Sequence, residues 1–325
     1  MNRYSKIIGT GSYFPSKVLT NKDLEKFVDT SDEWIVTRTG IRERRISEDK
    51  TVNEMAYEAA KAAIEDAQIE KEAIDGIIVA TCTPDYLIPS VACYLQGKIG
   101  VKGPFAFDIN AACSGFLYAL AVGDSLIKNG LANNILIVGA EKLTSILNWK
   151  DRSTCVLLGD GAGAVVLSAS EKPGIRSLIL HADGEYTSLL ECKAGGSAFL
   201  ANRDNFDIEN NLFKMKGNEV FKIAVRAMAD VAVKAVEESG LRFDEIDFLI
   251  PHQANLRIID AIAKRLSLDS DKVVVTLDKF GNTSAASIPT ALDIARKSGK
   301  IKEGSNIVSA AFGGGLTWAA AVFTL

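Results

Sequence analysis

The chain has 325 residues, 47% of them hydrophobic and 24% charged, which is the composition of a globular protein with a substantial core. That excludes a disordered chain, a collagen-like repeat and a small disulfide-stapled scaffold. Thirty-seven Lys and Arg against 41 Asp and Glu give a net charge of -4, which argues against a nucleic-acid-binding protein. No stretch approaches the roughly 20 apolar residues of a membrane helix, and the N-terminus carries no secretory segment. A cytoplasmic protein without membrane contact is therefore expected. Five scattered cysteines without CxxC spacing, and two histidines in all, offer no metal-ligand cluster.

In chain order, Ile7-Ile8 opens a strand-like segment, and the apolar run Ile77-Ile78-Val79-Ala80 predicts a strand buried on both faces. Helical spacing follows over 89–98 and 114–128, where Phe116, Leu120, Gly123 and Ile127 recur every three or four residues. Ile135-Leu136-Ile137-Val138 and Ala164-Val165-Val166-Leu167 predict further strands. Between them, Gly159-Asp160-Gly161-Ala162-Gly163-Ala164 has the letters of a dinucleotide loop, but a strand follows it and not a helix. It reads as a tight strand–turn–strand. His181 reads as a loop residue. A long helix over 217–238, a strand at 248–250, helices near 254–266 and 284–298, and strands near 306–311 and 316–324 complete an α/β pattern.

The pattern repeats. Ile74-Asp75-Gly76-Ile77-Ile78 echoes Ile246-Asp247-Phe248-Leu249-Ile250 at an offset of 172. Phe107-Asp108 leads into a small-residue turn and a helix, as Leu277-Asp278 does later, and each helix is followed by a glycine and an apolar strand. Two matches in one order suggest a duplication, with halves 1–172 and 173–325. The Gly/Asn/Asp-rich stretch 194–212 reads as an excursion suited to a mobile lid.

Cys113 stands in the turn Ala111-Ala112-Cys113-Ser114-Gly115, before a helix whose positive end would lower its thiol pKa and favour nucleophilic attack. A small buried residue at a tight junction is the alternative. His252 follows a strand in Pro251-His252-Gln253-Ala254-Asn255, where α/β sheets open to ligands; a structural histidine is the alternative. Asn282, in Phe280-Gly281-Asn282-Thr283-Ser284, stands in the duplicated counterpart of the Cys113 turn and could donate to a carbonyl oxygen, or could cap a helix. Gly313-Gly314-Gly315, between two strands, marks close backbone approach with N–H groups for an oxyanion, or else a bulge.

Taken together, Ala111-Ala112-Cys113-Ser114-Gly115-Phe116, Pro251-His252-Gln253-Ala254-Asn255 and Gly281-Asn282-Thr283-Ser284-Ala285-Ala286-Ser287 resemble the β-ketoacyl-acyl-carrier-protein synthase III family. The segment Thr30–Ile41 and the triple-glycine end extend the likeness over essentially the whole chain. The resemblance implies the five-layer αβαβα thiolase fold, a homodimer, and a Cys113–His252–Asn282 triad with the N–H groups of Cys113 and Gly314 as oxyanion hole. It implies an acyl-CoA primer, acetyl-CoA above all, condensed with malonyl-acyl-carrier protein without metal or redox cofactor. By motif position it implies Trp34, Arg38, Arg152, Phe221, Asn255 and Arg257 along the coenzyme A tunnel, and Ile88 in the primer pocket wall. Gln253, Ala254, Asn255, Leu256 and Arg257 are implied at the carrier-protein dock. Ala319 departs from the family's glycine there, with only a packing effect expected. Asn282 argues against elongating synthases, which use a second histidine, and against degradative thiolases, which use a second cysteine. A papain-like hydrolase would lack the duplicated halves, and an intact triad disfavours a non-catalytic binding protein.

Overall fold

The structure is a computed structural model that describes residues 3–198 and 212–325, so most of the stretch expected to form a lid lies outside the described residues. The strands are β1 (Tyr4–Tyr13), β2 (Lys17–Thr20), β3 (Glu43–Ile46), β4 (Gly76–Ala80), β5 (Phe105–Ile109), β6 (Asn134–Lys142), β7 (Asp160–Ser170), β8 (Ile175–Ala182), β9 (Leu190–Glu191), β10 (Lys214–Met215), β11 (Phe248–Leu249), β12 (Asn306–Gly313) and β13 (Thr317–Thr324). The longer helices are α1 (Asp32–Thr39), α2 (Val52–Ala67), α3 (Val91–Ile99), α4 (Gly115–Lys128), α5 (Gly217–Glu238), α6 (Leu256–Arg265) and α7 (Ser287–Lys297).

Two sheets carry the fold. One runs β1-β7-β6-β4-β5, the other β8-β13-β12-β11, with the same sense of pairing along each. Both are apolar on both faces, so neither face can be left to water. On β6, Ile135 and Ile137 pack between the sheets, while Leu136 and Val138 point to the outer side. On β12, Ile307 and Ala311 face inward and Val308 and Ala310 outward. A one-residue slip would exchange these faces, and each fully buried Ile or Leu is worth about 1.5–3 kcal/mol, so the register is firmly set.

Helices fill each layer. α4 and α7 lie between the sheets, through Phe116, Leu117 and Leu120 on one and Ile288, Ala291 and Leu292 on the other. α2 and α3 cover the outer face of the first sheet. α5 and α6 cover that of the second, through Met228, Ala232, Ile259 and Ile262. The result is the five-layer αβαβα arrangement, helix, sheet, helix, sheet, helix.

Equivalent contacts recur 172 residues apart. Asp75 accepts from the N–H of Asn134, whose side chain donates to Ala73 O; Asp247 accepts from the N–H of Asn306, whose side chain donates to Glu245 O. Two local expectations need correction. Asp160–Ser170 is one uninterrupted strand, so the glycine-rich letters hold no turn: Gly163 sits where a Cβ would meet the start of α7, 2.6 Å from Thr290 N. His181 lies in β8, not a loop, with its ring against Trp318.

Candidate active site

Four segments meet at one cavity of about 350 Å³ lined by Cys113, His252, Asn282 and Gly314. Cys113 sits in a single 3-10 turn, Ala112–Ser114, that runs directly into α4. Ala112 adopts φ +47°, and 172 residues later Ser284 adopts φ +49°, each opening the turn that leads into a central helix. Left-handed backbone costs a residue with a Cβ about 1–2 kcal/mol, so packing must hold both turns. Gly139 allows it: a Cβ there would lie 2.3 Å from Ala285 O.

Superposing the repeats residue by residue aligns Cys113 with Ala285 and Asn282 with Asn110. Asn282 therefore stands three residues before the position equivalent to the cysteine, not opposite it. Its Oδ1 accepts from Ser284 N–H at 2.8 Å, which leaves the Nδ2 donor for the cavity. The capping contact and a donor role are thus compatible.

His252 follows β11, tied by its N–H to Ala310 O at 2.8 Å. Its imidazole is buried, and Nδ1 lies 2.7 Å from Ser287 Oγ. Burial lowers its pKa to about 4, so the ring is neutral at neutral pH. Gly313 packs on the nucleophile's backbone, where a Cβ would lie 2.6 Å from Cys113 N, and this places the glycine turn beside that N–H.

The thiol differs from expectation. Burial pushes Cys113 up to about 12; the Ser284 hydroxyl opposes this and the Glu141 carboxyl adds to it. Enclosure outweighs the helix end here, and Cys113 rests as a thiol. Behind it lies a polar group that the sequence did not single out. Glu141 is fully buried and accepts from Thr83 Oγ1 at 2.6 Å and from Cys82 N–H at 3.2 Å, and burial raises its pKa. Cys82 lines the same cavity as Cys113.

Farther out, Trp34 on α1 is flanked by the guanidinium groups of Arg38 at 4.8 Å and Arg152 at 5.3 Å. Asn255 connects this cluster to the cavity, lining it while its side chain donates to Arg38 O at 3.0 Å. Phe221 lines the cavity and carries Arg257 over its ring at 4.9 Å.

Three of the expected site residues lie apart from the cavity lining. Ile88 is 88% exposed on the loop after β4 and is not among the residues that line the cavity. Gln253 is buried; its Oε1 accepts from the Thr276 N–H at 2.8 Å and its amide donates to Pro251 O, contacts that hold the loop. Leu256 packs against Gly40 and is half-buried. Of the expected dock, Arg257 is exposed, while Ala254 and Asn255 line the cavity.

The chain matches the family described as 3-oxoacyl-[acyl-carrier-protein (ACP)] synthase III over residues 107–184, and the C-terminal part of that family over 236–325. It is 53% identical over 320 residues to the β-ketoacyl-[acyl-carrier-protein] synthase III of Xanthomonas campestris pv. campestris, covering 98% of both chains. The chain belongs to the synthase III family. The crystal structure of 3-oxoacyl-[acyl-carrier-protein] synthase III from Aquifex aeolicus superposes with a TM-score of 0.92 at 51% identity, covering 99% of this chain and 100% of that one. The priming β-ketosynthase of the R1128 polyketide pathway reaches 0.93 at 34% identity, covering 100% of this chain and 97% of that one. This synthase III chain is accordingly an acyltransferase of the condensing type, with the thiolase-like fold.

Proposed function

We propose that Cys113, His252 and Asn282 carry the reaction of the family, with the N–H groups of Cys113 and Gly314 as oxyanion hole. The enzyme condenses an acyl-CoA primer with malonyl-acyl-carrier protein and so initiates fatty-acid synthesis. In the first half-reaction the Cys113 sulfur attacks the primer thioester. The carbonyl oxygen becomes an oxyanion held by the two backbone donors, the C–S bond to coenzyme A breaks, and the thiol proton ends on the departing coenzyme A sulfur. In the second, malonyl-acyl-carrier protein loses carbon dioxide. The enolate oxygen is stabilised by donors from His252 and Asn282, and its carbon attacks the acyl carbon of acyl-Cys113. The C–S bond to Cys113 breaks, the 3-oxoacyl product is released, and the departing thiolate takes a proton from solvent to restore the thiol. No metal or redox cofactor takes part.

The observation that carries this reading is the convergence of thiol, neutral imidazole and oriented amide on one cavity. The test is turnover of acetyl-, isobutyryl- and longer acyl-CoAs with malonyl-acyl-carrier protein; stable acyl-Cys113 followed by product supports it, and hydrolysis to free acid overturns it. Acetyl-CoA is the proposed primer. The Trp34, Arg38 and Arg152 cluster and the Phe221–Asn255 wall are proposed to hold coenzyme A.

Arg257, Lys264, Arg265 and Lys222 are exposed on the packed pair α5 and α6, with Arg257 over Phe221 at the cavity. This basic patch suits an acidic carrier protein, and surface charge of that kind acts mainly on encounter rate. Arg257→Glu is expected to cut use of malonyl-acyl-carrier protein about tenfold at low salt, and less at high salt. Acetylation of Cys113 should change less. Equal losses in both steps would place Arg257 in the coenzyme A site instead.

We further propose two duplicated halves, 1–172 and 173–325, supported by the common strand order and the repeated Asp–Asn contacts. A homodimer is proposed from the edge position of β5 and from Tyr86, Leu87 and Ile88, which are 61%, 82% and 88% exposed. Sedimentation should show a dimer that Leu87→Asp with Ile88→Asp shifts toward monomer. A monomeric wild type would refute it.

A further inference from the structure

His252 is 2% exposed and Ser287, its Nδ1 partner at 2.7 Å, is 1% exposed. Among the described residues, His252 is the hydrogen-bond partner of the Ser287 hydroxyl. In a neutral imidazole one ring nitrogen donates and the other accepts. With the proton on Nδ1, Ser287 would accept and its own buried O–H would be left without an acceptor, a costly arrangement. With Ser287 donating, Nδ1 accepts, the proton sits on Nε2, and both groups are satisfied.

The duplicated positions show what is particular to this pair. At the offset of 172, His252 corresponds to Ala80 and Ser287 to Gly115. A Cβ built on Gly115 would lie 3.1 Å from Ala80 Cβ, so the fold brings this strand end and this helix start together in both places. In the first half the junction holds two inert residues. In the second it holds an imidazole and a hydroxyl.

We propose that Ser287 is a positioning residue for the decarboxylative half-reaction: its hydroxyl donates to His252 Nδ1 and holds the ring as the Nε2–H tautomer, which presents that N–H to the thioester oxygen of the malonyl substrate. This rests on the role given above to His252. The hydrogen bond at one ring nitrogen sets what the other can do. An Nε2–H ring cannot take the Cys113 proton, so the effect of Ser287 falls on decarboxylation and not on primer loading.

The chain's two histidines make the test direct. Nitrogen-15 NMR of histidine-labelled protein, with His181→Gln to assign the signals, should show His252 as a single Nε2–H tautomer at neutral pH. In Ser287→Ala that signal should become a tautomer mixture. Carbon dioxide release from malonyl-acyl-carrier protein on pre-acetylated enzyme should fall about 10–100-fold, by analogy with the loss when partners that orient metal-bound histidines are removed. Labelling of Cys113 by acetyl-CoA should hold nearly constant, and Ser287→Thr should restore both tautomer and rate. An Nδ1–H tautomer in the wild type overturns the proposal, and decides the matter even if Ser287→Ala does not fold. So does a Ser287→Ala enzyme with unchanged tautomer, whether it keeps its rate or loses both half-reactions alike. A wild type that releases no carbon dioxide at all, yet shows a Ser287-dependent Nε2–H tautomer, would instead refute the synthase reading while leaving the Ser287–His252 contact as described.

Discussion

Cys113→Ala is expected to abolish transfer of label from acetyl-CoA to the protein, a loss on the order of 1,000-fold or more, as when the nucleophile of a covalent mechanism is removed. The informative competitor is Cys82, which lines the same cavity. Its sulfur lies 3.4 Å from Glu141 Oε1, and burial followed by that carboxyl raises its thiol well above the ordinary value. Cys113 differs in its backbone: Gly313 packs against its N–H, where an oxyanion would be held. Peptide mapping after incubation with labelled acetyl-CoA separates the two thiols. Acylation that persists undiminished in Cys113→Ala, on Cys82 or elsewhere, would remove Cys113 from the mechanism. The substitution deletes one partly accessible sulfur, so folding should change by only about 1 kcal/mol, and a melting curve checks that the loss is chemical.

Much of the layered fold was legible because β4, β6, β7 and β12 are apolar on both faces, which only a sheet covered twice can satisfy. The α5 bounds, 217–238, coincide with the expected ones because the apolar periodicity runs unbroken. α2 was not anticipated, although Thr51 and Glu54 form a capping box at its start; its buried face is largely alanine, which gives a weak apolar signal. The glycine-rich start of β7 was misread as a turn because glycine serves both turns and close layer contacts, and only the position of α7 tells them apart. Small-residue turns and a strand end singled out Cys113, His252 and Asn282 as candidates, and the structure brings all three to one cavity. Ser287 and Glu141 were not, since a serine at a helix start and a glutamate ending a strand gain meaning only when His252 and Cys82 are packed against them. The direction of the Cys113 pKa was also out of reach, because enclosure by distant segments, invisible in the local sequence, outweighs the helix end.

Asn282→Ala is expected to slow carbon dioxide release from malonyl-acyl-carrier protein by about 100–1,000-fold, roughly 3–4 kcal/mol, the usual loss for one donor of an oxyanion-type site. Acetylation of Cys113 should be far less affected, since the donors proposed for its oxyanion are backbone N–H groups. The contact with Ser284 N–H is what makes the donor effective: with Oδ1 engaged at 2.8 Å, the amide is held with Nδ2 free to meet developing negative charge, and little reorganisation is needed at the transition state. Asn282→Asp sharpens the test. The carboxylate can still accept from Ser284 N–H, so the turn keeps its cap, but it offers no N–H to the enolate and repels its charge. If donation is the function, the aspartate variant should melt close to the wild type and decarboxylate no faster than the alanine variant. If capping is the whole of it, alanine should cost about 1 kcal/mol of stability, aspartate should restore it, and both half-reactions should recover together. Measuring carbon dioxide release on pre-acetylated enzyme, with Cys113 labelling and melting temperature beside it, separates the two outcomes.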